Sequence, residues 1–248
     1  MIKYEFILPF SIRIVISFIF FTVVGTLTHE LGHITVAKYY GYDTTLHYGS
    51  MKYFYAERAK DDLFIEYNKI LEENIEAIKE GNDFREKERY LELLKLLKEK
   101  YPYSKTRSLW IALGGPLQTL FTSFFGLCVL YFRRSKCKQY FVFLDWLGTF
   151  MALFALREVF NFVTGAYSSL LYGKENFHGD EFRISRYLGM SEWVVPSVAF
   201  VLGMVISLYV IFRVIPLRYR FTFIISGLVG GITGFLLWFG YFGKLVLP

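Results

Sequence analysis

The chain has little cysteine, with only Cys128 and Cys137 in 248 residues. The two do not form a Cys-x-x-Cys pattern, so neither a cysteine zinc site nor a disulfide framework is expected. Charge is also nearly missing from several stretches of about 20 residues, a length that matches the hydrocarbon core of a bilayer. This composition argues against a soluble protein. The net charge of +6 therefore does not indicate a nucleic-acid partner.

The apolar stretches predict an all-α, polytopic membrane protein with about five transmembrane helices. They cover residues 6–40, 108–132, 140–163, 193–214 and 221–246. The first stretch has no small-residue cleavage site before position 29, so we expect a retained membrane helix and not a signal peptide. Short basic loops follow the second and fourth stretches, which predicts that both are cytoplasmic. The expected location is a prokaryotic cytoplasmic membrane.

Five residues inside the first apolar stretch form the motif His29-Glu30-Leu31-Gly32-His33. One helical turn separates the two histidines, so both imidazoles project from one face at the spacing that a single Zn²⁺ requires. Glu30 lies beside them, where it can take a proton from the attacking water. The motif should occur by chance in about 0.004 sequences of this length, so coincidence is a weak explanation. The pattern predicts a zinc hydrolase with Glu30 as general base.

A third protein ligand is needed to complete such a zinc site, and it must lie on the same side of the membrane as the motif. Alternation of the membrane segments places residues 165–192 there, and this loop contains His178-Gly179-Asp180-Glu181. We expect Asp180 to be the ligand, with His178 and Glu181 as alternatives. A competing interpretation is that Asp180 only caps the helix that follows it.

Two further groups of polar or small residues lie at membrane depth. Gly114-Gly115-Pro116 is either a packing kink or an opened backbone that pairs with an extended substrate. Arg157, Glu158 and Asn161 lie on or near one face, where charges are costly unless they are paired or face water. Glu158 is therefore another candidate ligand, although a structural Arg157–Glu158 pair explains the charges equally well.

Together these motifs resemble the site-2 protease family of intramembrane zinc metalloproteases. His29 to His33 match the family's zinc motif, including the small residue before the second histidine. Gly115-Pro116 looks like the Gly-Pro element of its next core helix, although the Asn that usually follows is missing here. Asn161 with Gly179-Asp180 is similar to the family's Asn-x-x-Pro and Asp-Gly element, without the Pro and with Glu in place of the second Gly.

The resemblance implies a three-helix core, residues 6–40 and 108–188, that cleaves a peptide bond in or near a transmembrane segment of another membrane protein. It implies Zn²⁺ held by the two histidines and Asp180, with Gly115, Pro116 and Asn161 in supporting or substrate-binding roles. It also implies an active site near the cytoplasmic face, whereas the loop charges place the motif on the opposite side.

Two other functions share these residues. One is a membrane zinc hydrolase that acts on a lipid-like substrate. The other is a non-catalytic metalloprotease-like receptor or scaffold, which Glu30 argues against because metal binding alone does not require it. The implied partners are the bilayer and a membrane-protein substrate. The sequence predicts no oligomeric state.

The chain divides into four parts. Residues 1–42 carry the first membrane helix and the zinc motif. Residues 43–105 form an extramembrane insert, expected as a short β-like stretch followed by a charged helical hairpin. Residues 106–190 hold the second and third membrane helices and the loop with the third ligand. Residues 191–248 form two C-terminal membrane helices.

Overall fold

The computed structural model describes residues 5–173 and 179–248. Five helical segments within these residues are long and apolar enough to cross a membrane. They are Leu8–Tyr39, Lys105–Phe132, Phe143–Leu171, Val194–Val214 and Leu217–Val246. The protein is an all-α, multi-pass membrane protein, as predicted.

The elements follow one another in a simple order. The helices are α1 (Leu8–Tyr39), α2 (Asp62–Glu73), α3 (Ile75–Glu80), α4 (Lys87–Lys100), α5 (Lys105–Phe132), α6 (Phe143–Ala152), α7 (Leu156–Tyr172), α8 (Asp180–Leu188), α9 (Val194–Tyr209), α10 (Leu217–Leu237) and α11 (Gly243–Val246). The strands β1 (Tyr42–Leu46) and β2 (Met51–Tyr55) lie between α1 and α2. A 3₁₀ turn at Leu153–Ala155 joins α6 to α7, so these two helices form one span.

Helix α1 packs against both α5 and α10 and is the central span of the bundle. Near its N-terminal half lies a buried apolar cluster that draws residues from five helical segments. One of its two phenylalanines, Phe223, is 1% exposed, and the ring of Phe21 stacks on that of the other, Phe150, at 4.8 Å. Such an aromatic pair contributes about 1 kcal/mol beyond the area that it buries. Many large apolar side chains on the spans, such as Phe121 and Leu228, are exposed in the protein, as expected of surfaces that face lipid.

Small residues let α1 and α5 touch backbone to backbone at the motif. A Cβ atom added to Gly32 would overlap the carbonyl group of Gly114, and one added to Gly114 would overlap that of Gly32. Without a hydrophobic force between helices in lipid, such close packing is what holds spans together. The contact brings the histidine face of α1 directly onto α5.

The insert contains the predicted hairpin and helix pair. Strands β1 and β2 are antiparallel, with Tyr42 opposite Tyr55. Trp238 Nε1 donates a hydrogen bond of 2.7 Å to the carbonyl of Tyr48, which ties the hairpin turn to the end of the last span. Helices α2 and α4 pack as the predicted helical hairpin, with a break at Gly81, whose φ is +71°. The first helix of this pair was expected to run through Ile75 and Ile78, and the break at Asn74 that makes α3 a separate helix was not predicted.

Candidate metal and catalytic centre

The motif lies on the buried face of α1. His29 is fully buried, and Glu30 and His33 are each 5% exposed. The Nε2 atoms of the two histidines are 3.2 Å apart. The expectation that the imidazoles share one helix face is therefore met, and the ring nitrogens converge on one point.

Helix α5 orients both rings through their Nδ1 atoms. Nδ1 of His33 lies 2.6 Å from the carbonyl oxygen of Ile111. A carbonyl oxygen only accepts, so Nδ1 carries the proton and Nε2 keeps a free lone pair. Nδ1 of His29 lies 2.9 Å from Thr119 Oγ1, a hydroxyl that can accept in the same way. Outer hydrogen bonds of this kind fix the tautomer of metal-ligating histidines.

Asp180 completes the cluster from the start of α8. Its Oδ2 atom is 3.1 Å from Nε2 of His29 and 3.1 Å from Nε2 of His33. Burial alone would raise the pKa of Asp180, but hydrogen bonds and charge from the two histidines outweigh it and hold the pKa below its usual range. The N-cap of α8 is Gly179, and no side chain among the described residues caps this helix. The interpretation of Asp180 as only a helix cap is wrong.

The three converging atoms fit a zinc ion. Ligands about 2.0–2.1 Å from a tetrahedral Zn²⁺ lie about 3.3 Å from one another, close to the separations of 3.1–3.2 Å here. Three electron-rich atoms at such distances repel one another unless a cation or a proton lies between them. The donor set of two imidazoles and one carboxylate is one that zinc hydrolases use.

The space for an ion exists because residue 115 is glycine. A Cβ atom at Gly115 would overlap the Nε2 atoms of both His29 and His33. Helix α5 runs unbroken through Gly114, Gly115 and Pro116, all of which are buried. Gly114 and Gly115 both make close packing contacts with α1, and no opening of the backbone is observed in α5.

Glu30 sits next to the cluster with one cationic neighbour. Its carboxylate lies within 4.8 Å of a ring nitrogen of each motif histidine. Arg157 Nη2 on α7 is 4.0 Å from Glu30 Oε1. In the described part of the chain, Arg157 forms no ion pair with Glu158, so the expected structural Arg157–Glu158 pair is not found.

The other residues predicted as ligands or supporting groups lie on α7 and at the start of α8. Glu158 and Glu181 are 1% and 2% exposed. Asn161 Nδ2 donates a hydrogen bond of 3.2 Å to Glu181 Oε1, so Asn161 supports the start of α8. Among the described residues it makes no hydrogen bond to either motif histidine. The Glu158 oxygens have no hydrogen-bond partner among the described residues. His178 lies outside the described residues.

Sequence reasoning missed three contributors: Thr119, Arg157 as the neighbour of Glu30, and the carbonyl of Ile111. The sequence does contain a pattern that indicates Ile111 and Thr119. Ile111, Gly115 and Thr119 recur every four residues, which places them on one face of α5. Arg157 had no comparable signal, because its approach to Glu30 depends on how α7 packs.

No family model, curated protein or solved structure matches this chain, so the assignment of a function rests on the residues of the site.

Proposed function

We propose that this protein is a zinc-dependent intramembrane endopeptidase, which hydrolyses a peptide bond in or near a transmembrane segment of a membrane protein. One observation carries the proposal. His29, His33 and Asp180 bring two nitrogens and one carboxylate oxygen within 3.2 Å of one another. Glu30 lies beside them, in a helix long enough to cross a membrane.

His29, His33 and Asp180 would hold the ion. A bound zinc ion supplies Lewis acidity, because it polarises the scissile carbonyl and lowers the pKa of water towards about 7. Glu30 accepts a proton from the attacking water and returns it to the leaving amine nitrogen. Arg157, 4.0 Å away, places a positive charge beside the carboxylate of Glu30.

The position of the site favours a membrane-embedded peptide. His33 lies six residues before the end of α1 at Tyr39, about 9 Å along the helix axis. A helical peptide bond at that depth is locked in hydrogen bonds and must be unwound before hydrolysis.

The β1–β2 hairpin offers a surface for such an unwound segment. Tyr42 of β1 packs against Ile111 and against Ala37, which lies one helical turn after His33. A two-stranded sheet leaves an unpaired edge on each strand, and an extended peptide can pair with such an edge. This feature supports a peptide substrate over a lipid.

The proposal includes a prokaryotic cytoplasmic membrane as the location. Basic loops mark the cytoplasmic face of such a membrane. The loop between α5 and α6 contains Arg133, Arg134, Lys136 and Lys138. It lies at the opposite ends of the spans from the motif, so the site opens towards the non-cytoplasmic side.

The decisive test compares the membrane proteomes of cells that carry wild type, Glu30→Gln or Glu99→Gln. Glu99 is exposed on α4 and controls for the chemical change. We expect at least one full-length membrane protein to accumulate, with loss of its fragments, only in Glu30→Gln.

Lipid composition is measured in the same cells. A changed lipid with unchanged membrane proteins would replace the peptidase with a lipid hydrolase. No difference in either would overturn the catalytic proposal and favour a receptor or scaffold.

A further inference from the structure

A second polar feature lies far from the metal centre. It is a partly open cavity of about 280 Å³ at the start of α1, bordered by residues that precede or begin α6 and α10. Arg13 lines this cavity and stands 16 positions before His29 on the same helix, a distance of about 24 Å. The cavity is therefore separate from the proposed catalytic site. It lies at the membrane face that carries the basic loops.

Two arginines give the cavity its charge. Arg13 is the only charged residue of α1 before Glu30, and it is exposed. No ion pair or hydrogen bond to Arg13 occurs among the described residues. Arg218, which is 51% exposed, has a long contact of 3.9 Å with Glu5 Oε1. A charge within a membrane span is costly unless it is paired, so the cavity is suited to an anion.

An aromatic wall stands beside these arginines. The ring of Phe10 lies 5.1 Å from Trp146 and 4.8 Å from Tyr219, and Phe141 lies 4.9 Å from Trp146. These contacts join α1, α6 and α10 and fix the wall in place. Trp and Tyr are enriched where headgroups meet acyl chains, so the wall matches the border between the polar and apolar parts of a lipid.

We infer that this cavity binds an anionic glycerophospholipid. The phosphodiester lies between the guanidinium groups of Arg13 and Arg218, whose planar donors match phosphate oxygens. The glycerol end and the start of an acyl chain lie along Phe10, Trp146 and Tyr219. A free anion would leave this apolar wall unused. Basic pockets between transmembrane helices on the cytoplasmic side are suited to lipids of this charge.

The test uses the full chain in nanodiscs of dioleoylphosphatidylcholine with increasing dioleoylphosphatidylglycerol. Native mass spectrometry counts the phosphatidylglycerol molecules that stay bound. We expect Arg13→Gln or Arg218→Gln to weaken retention about fivefold, and the double variant about 25-fold. The matched control is Lys136→Gln with Arg213→Gln, which removes two exposed cations of the same face outside the cavity. It should change retention less than about twofold.

Several results would overturn the inference. Equal losses in the two double variants would mean that only the general charge of this face attracts lipid. Equal retention of phosphatidylcholine would mean that the two arginines do not select for anionic lipids. Displacement by inorganic phosphate without retention of lipid would make the cavity a simple anion site.

Folding is checked by thermal unfolding in phosphatidylcholine alone. If a glutamine variant does not fold, Arg13→Lys and Arg218→Lys take its place. They keep the charge but lose the planar donors, so retention should still fall, and unchanged retention would count against the guanidinium contacts.

Discussion

At the scale of single residues, the proposed metal centre depends on the absence of a side chain at Gly115. We expect Gly115→Ala to reduce zinc affinity by more than about 100-fold, because the new methyl group would occupy the space between the two Nε2 atoms. Zinc content after equilibrium dialysis measures this effect. Gly231→Ala on α10 is the control, since a Cβ there meets nothing within 4 Å. Normal zinc content in Gly115→Ala would place the ion elsewhere.

Substitutions of Glu30 and His33 should have different effects on zinc content and on rate. Glu30→Gln keeps the shape of the side chain but cannot accept a proton, so we expect normal zinc and a loss of about 10²–10⁴ in rate. His33→Ala should lose both zinc and activity, because only two protein ligands remain. Zinc content and peptide cleavage are measured on the same preparations. Normal zinc with near-normal turnover in Glu30→Gln would remove its proposed role.

Asp180 and Glu158 are separated by a matched pair of neutral variants. Asp180→Asn should weaken zinc binding and abolish cleavage, because its oxygen is the third atom of the converging set. Glu158→Gln should keep the metal, since Glu158 has no hydrogen bond to either histidine among the described residues. The opposite pattern would assign the ligand to Glu158.

The sequence predicted a site residue well when its position is fixed within one helical turn, and poorly when it depends on the packing of separate helices. His29, Glu30 and His33 are set by one helical turn, which the sequence shows directly. Asp180 could be chosen because alternation of the spans limited the candidates to one loop. The contact between Arg157 and Glu30 could not be predicted, because helix rotation in the bundle determines it and no short-range pattern encodes it.

At the scale of elements, the turn between α5 and α6 depends on one buried carboxylate. Asp145 is fully buried and accepts hydrogen bonds from Arg133 at 2.9 Å, Lys138 at 2.8 Å and Ser135 at 2.6 Å. Arg133 and Lys138 are 29% and 31% exposed. Because Asp145→Asn removes the buried charge that pairs with both of them, we expect it to lower the free energy of unfolding by about 2 kcal/mol.

Thermal unfolding in detergent measures this change. Asp83→Asn is the control, since Asp83 is 88% exposed and its pair with Lys87 contributes at most about 0.5 kcal/mol. Equal unfolding temperatures for the two variants would contradict the role of Asp145.

Element ends were predicted less well than element types. The third span was expected to end at residue 163 but continues to Leu171. Polar side chains such as Asn161 and Thr164 lower its apolar character, although they make contacts inside the protein: Asn161 reaches Glu181, and Thr164 reaches a carbonyl of its own helix. Hydropathy measures transfer to lipid and does not register such contacts.

At the scale of the whole molecule, the orientation of the chain decides which compartment the site faces. Cys137 is exposed in the basic loop, and Lys79 is exposed on the insert. We expect a membrane-impermeant maleimide to label Cys137 only from the cytoplasmic side. A cysteine introduced by Lys79→Cys, in a Cys137→Ser background, should be labelled only from the other side. The reverse result would put the site at the cytoplasmic face, as the family resemblance implies.

The separation of the proposed metal ligands along the chain has a consequence for biosynthesis. Asp180 is made 147 residues after His33. At 5–20 residues per second, a ribosome needs about 7 to 30 s to cover that interval. During this time the histidine helix is already available to the membrane while its proposed third ligand does not yet exist. If the proposed function holds, a nascent chain would have no complete metal site and would not cleave a substrate that it meets during its own synthesis.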